Sequence, residues 1–379
     1  MTLLARRTFL VVCAATVSAA CAPASPAAAP TTLPTAAPTA APTSAPTPAP
    51  TSAPTVAPTL APTAAPTLAP TTAAAPVAVK AAWVAKTANQ MIWPLAKDAG
   101  YFDKYGVSFD LNYLNGSTLA VPALFARDID VASVAGSAVV GAQAAGQDLV
   151  MVAGFLNQAV FRIMSMDLQS IDEVKGQNVG VTKAGNADYY AWQTIIGLKG
   201  WADTDLKFIN GNDVNGQVAL LQRGDVKAIA VSPPNDVLAS KVGAHMILDT
   251  STLNEPEQNV GVAVTRAYLA ANRATVTNVL KASIEAMARW KKDATFTKGV
   301  IQKYLESDDP QFTEVGYSAY APVWPQAPYP SRDGLAKVIG EVSAQNPKAQ
   351  DLQVDSLMDT SVVKELEDNG FIKQVYGAG

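Results

Sequence analysis

The chain has 379 residues, of which 49% are hydrophobic and 16% charged, and its formal net charge at pH 7 is -4. Because nucleic-acid phosphates require a basic face on their partner, this acidic composition argues against nucleic acid as a ligand. The composition is otherwise typical of a soluble globular protein that carries an added leader.

The first segment, residues 1–20, predicts an export signal that is removed from the mature protein. Its apolar run from Thr8 to Ala20 follows two consecutive arginines and is shorter than the roughly 20 residues that a helix needs to span a bilayer. The stretch from Ala5 to Leu10 resembles a twin-arginine export signal, and an ordinary basic start of a signal peptide is the alternative.

The two cysteines of the chain are Cys13, inside the leader, and Cys21, directly after it. Once the leader is removed, no pair of thiols remains to form a disulfide. The sequence from Val17 to Cys21 resembles a bacterial lipoprotein box, in which the cysteine becomes the lipidated N-terminus, although Ser18 stands where Leu or Val is usual. The resemblance implies a lipid anchor at Cys21 and a location on the extracytoplasmic face of the cell membrane.

Residues 21–77 form the next segment, which from residue 22 onward repeats variants of Ala-Pro-Thr without a charged or aromatic side chain. Such a segment buries too little apolar surface to offset the entropy of the chain, so we expect a disordered tether. Polyproline stretches at about 3.1 Å per residue give this tether a reach on the order of 150 Å. A glycosylated stalk is the alternative.

From about Val79 onward, short β runs alternate with amphipathic stretches, which predicts an α/β fold with largely parallel sheets. Strands are expected at 80–84, 108–114, 129–134, 150–156, 178–182, 207–209, 228–231, 246–248 and 260–265. Helices are expected at 93–104, 120–126, 137–145, 188–198, 214–223 and 274–291. About 300 residues are enough to build two lobes.

Two similar stretches, LFARDIDVASVAGS (124–137) and LLQRGDVKAIAVSPP (220–234), both run from the end of a helix through a tight turn into a buried strand. Each strand leads into a loop of small residues, at 135–137 and 232–236. Ligands of open α/β sheets bind outside the carboxyl ends of the strands, near the free N–H groups of helix starts. We therefore expect the two loops to face one shared cleft.

Four stretches together carry a resemblance to a known family: LAKDAGYFDKYGVSFDL (95–111), NGSTLAVPALFARDIDVASVAGSA (115–138), SIDEVKGQNVGVTKAGNADYY (170–190) and ALLQRGDVKAIAVSPP (219–234). They resemble the periplasmic substrate-binding proteins of ABC importers that are related to the nitrate, sulfonate, taurine and thiamine-pyrimidine binders. The resemblance spans roughly residues 80–375. It departs from the family's usual form at Arg127, where a glycine is common.

The resemblance implies a periplasmic-binding-protein fold of type II, the Venus-flytrap form, with a cleft between two lobes. The first lobe would comprise residues 78–160 and 263–379, and the second lobe residues 161–262. The chain would cross between the lobes near 158–162 and return near 259–264. Ligand binding in the cleft would then close the hinge.

Polar candidates for the cleft come from two loops. Asn89, Gln90 and Trp93 follow the first predicted strand and would form a polar and stacking wall, or alternatively an N-cap with a core tryptophan. Asn115 and Ser117 lead into a helix, where backbone N–H groups would meet a ligand, although capping alone accounts for both residue types.

Aromatic side chains supply further candidates. Tyr189 and Tyr190 are consecutive on a predicted helix, so both cannot face one core, and at least one is expected in the cleft. Trp324 lies in a proline-rich loop that would line the cleft, meet the permease or cover the core. The predicted ligand-binding residues are Asn89, Gln90, Trp93, Asn115, Ser117, Ser137, Asn157, Asn186, Tyr189, Tyr190, Asn235 and Trp324.

The side chains of these loops favour one ligand class. They are mostly Asn, Gln, Ser and Tyr, with Lys86 and Lys183 as the cations and Arg162 near the expected crossing. A sulfonate or nitrate site requires a cation or several N–H donors. A flat neutral heterocycle instead requires aromatic faces and amide hydrogen bonds, which these loops offer.

An exported lipoprotein with a long Ala-Pro-Thr tether is similar to the riboflavin-binding type of this family, found in filamentous photosynthetic bacteria. This similarity implies riboflavin as the ligand, captured outside the membrane and delivered to an ABC permease that its own ATPase drives. A sulfonate, taurine, nitrate or a thiamine-pyrimidine precursor is the alternative ligand.

An enzyme is the main alternative class, since the same fold occurs in enzymes that make the thiamine pyrimidine with histidine and lysine chemistry. The only histidine, His245, lies beside an apolar strand, and no second His or Cys accompanies it to bind a metal. The sequence also lacks a Ser-His-Asp set and a phosphate loop. We therefore expect no catalytic residue, metal or cofactor. A structural surface protein would explain the anchor and tether but not a two-lobed domain.

Overall fold

A computed structural model of the chain describes residues 75–377. The predicted signal peptide, the predicted lipid anchor Cys21 and nearly all of the predicted tether lie outside the described residues. Within 75–377, no helix combines the length and the apolar character needed to cross a membrane.

The described part of the chain alternates strands and helices. The strands are β1 (Val77–Trp83), β2 (Val107–Tyr113), β3 (Val131–Val134), β4 (Leu149–Gln158), β5 (Arg162–Ser165), β6 (Asn178–Val181), β7 (Lys207–Asn210), β8 (Ala228–Val231), β9 (His245–Asp249) and β10 (Pro256–Thr265). The helices are α1 (Ile92–Asp98), α2 (Tyr101–Lys104), α3 (Ser117–Ala126), α4 (Gly136–Ala144), α5 (Ala187–Lys199), α6 (Val214–Arg223), α7 (Asn235–Lys241), α8 (Arg266–Ala271), α9 (Arg273–Lys292), α10 (Ala294–Leu305), α11 (Pro310–Ser318), α12 (Arg332–Ser343), α13 (Val354–Leu357), α14 (Ser361–Asp368) and α15 (Phe371–Tyr376).

The strands form two five-stranded sheets. The first sheet has the order β2-β1-β3-β10-β4, and the second sheet has the order β7-β6-β8-β5-β9. In the first sheet β1 runs parallel to β2 and β3, whereas β10 runs antiparallel to β3 and β4. In the second sheet β6 runs parallel to β7 and β8, whereas β5 runs antiparallel to β8 and β9.

The predicted α/β class is confirmed, but both sheets are mixed rather than largely parallel. The reason is that the strands that follow the two crossings, β5 and β10, run against their neighbours. The first crossing, from the first sheet to the second, lies between Gln158 at the end of β4 and Arg162 at the start of β5. The return lies between Asp249 and Pro256, upstream of the predicted 259–264, because β10 pairs with β4 from its first residue.

Aromatic side chains join helices α1, α2 and α9 to the first sheet. The ring of Phe102 stacks on Phe109 of β2, and Trp93 packs edge-on against the same ring with 5.3 Å between centroids. The indole N–H of Trp93 donates to Ser283 Oγ of α9 at 3.1 Å. Each such aromatic pair contributes about 0.5–1.5 kcal/mol beyond the apolar area that it buries.

Helix α12 packs on the start of β10 at a point where only a glycine fits. A Cβ atom on Gly334 would lie 2.4 Å from the carbonyl carbon of Glu257 and 2.6 Å from the backbone nitrogen of Gln258. Ser331 caps the helix, since its hydroxyl accepts from the Gly334 N–H at 3.0 Å. The backbone N–H of Ser331 donates to Gln258 Oε1 at 2.7 Å, which fixes the helix start on the strand.

A pair of glycine substitutions on α12 tests this contact. Gly334→Ala is expected to destabilise the protein by about 1–3 kcal/mol, because the added methyl group forces the helix away from β10. Gly340→Ala is the matched control, since nothing lies within 4 Å of its Cβ position. The control is expected to stabilise the protein by roughly 0.5–1 kcal/mol. Urea denaturation measures both, and equal effects of the two substitutions would contradict the proposed close packing.

Candidate functional site

A cavity of about 590 Å³ lies between the loops of the two sheets. The loops after β1, β2 and β3 line one side, and the loops after β6, β7 and β8 line the other. Parallel strands place their carboxyl ends at one edge of a sheet, so these loops come together there. Ala135 and Ser232, which belong to the two small-residue loops expected to share a cleft, both line this cavity.

Half of the predicted ligand-binding residues line the cavity. They lie at the starts of helices or in the loops that precede them, on both sides of the cavity. These residues are Asn89, Gln90, Asn115, Ser117, Asn186 and Asn235.

The two predicted tryptophans lie in the hydrophobic core instead. Trp93 and Trp324 are each 1% exposed. Trp324 packs edge-on against Trp290 with 5.4 Å between the ring centroids. Indoles are favoured in the core because they remove a large apolar surface from water.

Tyr189 and Tyr190 are likewise buried, each 7% exposed, and neither lines the cavity. Helix α5 contacts the second sheet and also α12, and both tyrosines are buried there in one hydrophobic cluster. The ring of Tyr189 lies 4.7 Å from that of Phe208 in β7, and its hydroxyl accepts from Gln193 at 3.0 Å. Both consecutive tyrosines are therefore buried in one core, which the sequence argument had excluded.

Asn157 lies on β4 of the first sheet, and Ser137 lies on α4. The amide of Asn157, near the end of β4, donates to the carbonyl oxygen of Tyr329 at 2.8 Å. Ser137 lies in the first turn of α4 and is 6% exposed. In this structure both side chains pack within the scaffold and do not line the cavity.

The aromatic wall of the cavity comes from residues that sequence reasoning missed. Tyr113, Phe161 and Phe312 line the cavity. Tyr113 ends β2 and Phe161 lies in the first crossing, so a search of strand ends and crossings would have found both. Phe312 lies on α11, and no local pattern links that helix to the cavity.

Hydrogen bonds between loops cross the cavity from one sheet to the other. Asn115 donates from its amide to the carbonyl oxygen of Asn212 at 3.1 Å. Asn235 donates to the carbonyl oxygen of Lys86 at 3.3 Å. These bonds hold the loops of the two sheets close together beside the cavity.

Asn186 lies in close contact with the opposite loop. Its amide donates to Thr182 Oγ1 at 3.0 Å. A Cβ atom on Gly116 would lie 2.8 Å from the Asn186 amide nitrogen, and the φ angle of Gly116 is +98°. A glycine is therefore required at residue 116 for both backbone conformation and space.

The charged side chains of the cavity are mostly acidic. Lys86, Asp188, Asp213 and Glu306 line it, and Lys86 is paired with Glu306 at 3.1 Å. Burial raises the pKa of Asp188, and hydrogen bonds from Thr182 and Gln217 lower this pKa by a smaller amount. The other predicted cations contribute little, since Lys183 is exposed and Arg162 is paired with Asp236.

A buried ionic cluster joins α12 to α5 and β10, and we call it the Lys337 cluster: Lys337, Glu257, Glu341 and Thr194. Lys337 Nζ lies 3.2 Å from Glu257 Oε2 and 3.7 Å from Glu341 Oε1, and it donates to Thr194 Oγ1 at 2.8 Å. Burial raises the pKa of the Glu257 carboxyl, and the nearby Glu341 carboxylate raises it further. Protonation of Glu257 therefore favours the folded state.

His245 is held by the scaffold, because its Nε2 lies 2.8 Å from the carbonyl oxygen of Leu168. Among residues 75–377, His, Cys, Asp and Glu side chains do not gather in groups of three or more that would hold a metal ion.

A family model described as NMT1/THI5 like matches residues 87–293, which include the first crossing and the whole second sheet. That range also contains the predicted residues that line the cavity. No curated protein matches the chain in sequence.

Solved structures share the fold of the chain at low sequence identity. The periplasmic aliphatic sulphonate binding protein SsuA from Escherichia coli has a TM-score of 0.60 and 20% identity, and the match covers 72% of this chain and 94% of that chain. The alkanesulfonate-binding protein SsuA from Xanthomonas axonopodis pv. citri has a TM-score of 0.62 and 16% identity, with 76% and 100% covered. The periplasmic nitrate-binding protein NrtA from Synechocystis PCC 6803 has a TM-score of 0.62 and 13% identity, with 80% and 92% covered. The predicted two-lobed periplasmic-binding-protein fold is thereby confirmed.

The Lys337 cluster predicts how stability depends on pH. Glu257 has a raised pKa in the folded protein relative to its ordinary value of 4.5, so the folded state binds more protons than the unfolded state just above that value. The unfolding temperature is therefore expected to fall as the pH rises from about 5 to about 8.

Glu257→Gln is expected to flatten this dependence, because the amide has no proton to lose. Glu365→Gln, which changes an exposed carboxylate, is the control and is expected to leave the slope unchanged. Differential scanning calorimetry across the pH range measures the slopes, and an unchanged slope in Glu257→Gln would show that Glu257 is charged in the folded protein.

Proposed function

Because the chain belongs to the NMT1/THI5-like family, we propose that it is the extracytoplasmic substrate-binding component of an ABC importer. In this function the protein captures a small ligand between its two lobes and delivers it to a membrane permease, which a separate ATPase drives. The observation that carries the proposal is the cavity of about 590 Å³, whose lining comes from loops of both sheets. A binding protein of this kind needs no catalytic residue.

The proposed ligand is a vitamin-like aromatic heterocycle, with riboflavin as the favoured compound. A volume of about 590 Å³ lies within the range of about 300–1,000 Å³ that is usual for sites of drug-sized ligands. Tyr113 offers an exposed aromatic face, and Phe161 and Phe312, each 3% exposed, complete the aromatic lining. The amide groups of the lining belong to Asn89, Gln90, Asn115, Asn186 and Asn235. Aromatic faces and edge hydrogen bonds together suit a flat polar ring system.

A sulfonate, taurine, nitrate or a thiamine-pyrimidine precursor is the second candidate. This candidate is favoured by two proteins of the same fold, which are named for binding sulphonate and nitrate. An anionic ligand is disfavoured because Lys86, the lysine that lines the cavity, is already paired with Glu306.

The proposal also includes the N-terminal segments. Residues 1–20 would direct export, Cys21 would carry the lipid anchor, and residues 21–77 would tether the binding domain to the membrane surface. In this arrangement the cavity is available to solutes outside the membrane, and the domain has enough reach to meet its permease.

Riboflavin binding is tested by titrating the full-length protein into riboflavin while flavin fluorescence and heat are recorded. A saturable decrease of emission with one ligand per chain is expected, since stacking on aromatic side chains quenches the flavin. Tyr113→Ala is expected to weaken binding roughly tenfold, and its exposed position limits any loss of stability.

Tyr101→Ala is the matched control, because Tyr101 is a partly buried tyrosine that does not line the cavity. Unchanged emission together with no heat of binding would exclude riboflavin, and taurine, nitrate and the thiamine pyrimidine would then be titrated in its place.

A further inference from the structure

Helices α5 and α12 form a contact between the two sheets. Helix α5 follows β6 of the second sheet, whereas α12 packs on α4 and on β10 of the first sheet. Apolar side chains of both helices, among them Tyr190, Leu335 and Val338, belong to one buried cluster. These three residues do not line the cavity. A rotation of one sheet relative to the other therefore acts on a contact outside the cavity.

Three hydrogen bonds join α5 to α12 and to the turn that follows it. The hydroxyl of Thr194 donates to Glu341 Oε1 at 2.9 Å and accepts from Lys337 Nζ at 2.8 Å. The side-chain amide of Gln345 donates to the hydroxyl of Tyr189. Thr194 is 4% exposed, and Glu341 Oε2 has no hydrogen-bond partner in the described part of the chain. Thr194 thus completes the Lys337 cluster from the helix of the second sheet.

The charges of the Lys337 cluster do not balance when every acid is ionised. Lys337 supplies one positive charge, whereas Glu257 and Glu341 supply two carboxylates. The three side chains are only 20%, 9% and 10% exposed. Glu255, just before β10, adds further negative charge nearby. An uncompensated buried charge is costly, and one proton bound by the cluster removes it.

Helix α5 covers these carboxylates. Burial raises the pKa of Glu257 and of Glu341, although Lys337 lowers both. Burial also raises the pKa of the Tyr190 phenol on α5, and the carboxylates of Glu341 and Glu257 raise it further. Tyr190 and Thr194 therefore face the cluster from α5. When α5 moves away, water reaches the two carboxylates, and their pKa values return towards the ordinary range.

From these contacts we propose that the Lys337 cluster binds a proton when α5 packs on α12, and that pH thereby controls the relative position of the two sheets and the affinity for ligand. The cavity and the contact between α5 and α12 are present in the same arrangement of the sheets. A ligand that binds this arrangement therefore favours the protonated cluster. Thr194 and Lys337 are positioning residues, because they act on the ligand through the position of α5. The effect on affinity rests on the proposed function, whereas the effect on the contact does not.

Proton linkage fixes the direction of the effect. The arrangement in which α5 covers the cluster has the raised pKa values, so it binds more protons than an arrangement in which the two carboxylates are hydrated. Its share of the population falls as the pH rises from about 6 to about 8. The affinity for riboflavin is expected to fall roughly three- to tenfold over this range, and riboflavin binding is expected to take up protons.

Proton uptake is measured by calorimetric titration of the full-length protein with riboflavin near neutral pH. The titration is run at one pH in phosphate and in Tris, whose ionisation enthalpies differ, so the difference in binding heat gives the number of protons taken up. Uptake of a fraction of a proton per riboflavin is expected in the wild type. Riboflavin binding without any proton exchange would overturn the coupling.

Glu257→Gln tests which group holds the proton, because glutamine keeps the shape of glutamate but does not titrate. The variant is expected to lose most of the proton uptake and to bind riboflavin with nearly the same affinity at both ends of the pH range. Glu365→Gln, which removes an exposed carboxylate of α14, is the control and is expected to behave as the wild type. Wild-type proton uptake in Glu257→Gln would overturn the role of this carboxyl group.

Thr194→Val tests the positioning role, because valine keeps the shape of threonine and removes two of the hydrogen bonds across the contact. Riboflavin affinity is expected to fall roughly tenfold, and Thr194→Ser, which restores the hydroxyl, is expected to recover it. Thr277→Val is the control, since it removes a buried hydroxyl that donates within α9, to the carbonyl oxygen of Arg273 at 3.0 Å. A lower unfolding temperature of Thr194→Val with unchanged affinity would show a purely structural role and overturn the positioning role.

Amide hydrogen exchange of the protein without ligand tests the contact independently of riboflavin. After correction for the intrinsic effect of pH on exchange, protection of α5 and α12 is expected to fall between about pH 6 and about pH 8, and protection of β4 is expected to change less. Glu257→Gln is expected to abolish the difference. Constant protection of α5 and α12 in the wild type would overturn the inference, whatever riboflavin does. A pH-dependent contact without riboflavin binding would overturn the proposed function for riboflavin and leave the proton-linked contact intact.

Discussion

Three consecutive buried polar side chains at the start of β10 are the constraint on which the positions of α12 and of the loop after β1 depend. Glu257, Gln258 and Asn259 are each less than 10% exposed: 7%, 0% and 4%. Buried polar groups require partners, and the partners here come from distant parts of the chain. Glu257 binds Lys337, Gln258 accepts from the backbone of Ser331, and Asn259 accepts from Asn89 at 3.4 Å. The strand that returns from the second sheet therefore fixes α12 and the loop after β1 together.

The cavity is lined mostly by polar loop side chains, and few of its residues are aromatic. Loops that follow buried strands carry the polar side chains, since their backbone and side-chain groups have to find partners near the surface. The large aromatic side chains instead fill the space between helices and sheet, where Trp93 and Trp324 lie. The aromatic residues that line the cavity are Tyr113, Phe161 and Phe312.

The fold by itself leaves the ligand open. Structures with the same fold include proteins named for sulphonate and for nitrate, and identities between 13% and 20% leave little of their loops in common with this chain. Selectivity is a property of the side chains in the site rather than of the scaffold. In this chain the side chains that line the cavity include several amides and aromatic rings, and its lysine, Lys86, is paired with Glu306.

The sequence by itself determined the α/β class and the small-residue loops that line the cavity, because both depend on local patterns of apolar, small and capping residues. It did not determine the antiparallel course of β10 or the point of return, since strand direction depends on pairing between segments far apart in the chain. Only the tertiary structure decided which aromatic residues face the cavity, because Tyr189 and Tyr190 are both buried in one hydrophobic cluster and Phe312 arrives from a distant helix. The orientation of Asn186 likewise required the contacts with Thr182 and Asp188, since an amide side chain has no preferred direction until its partners are in place.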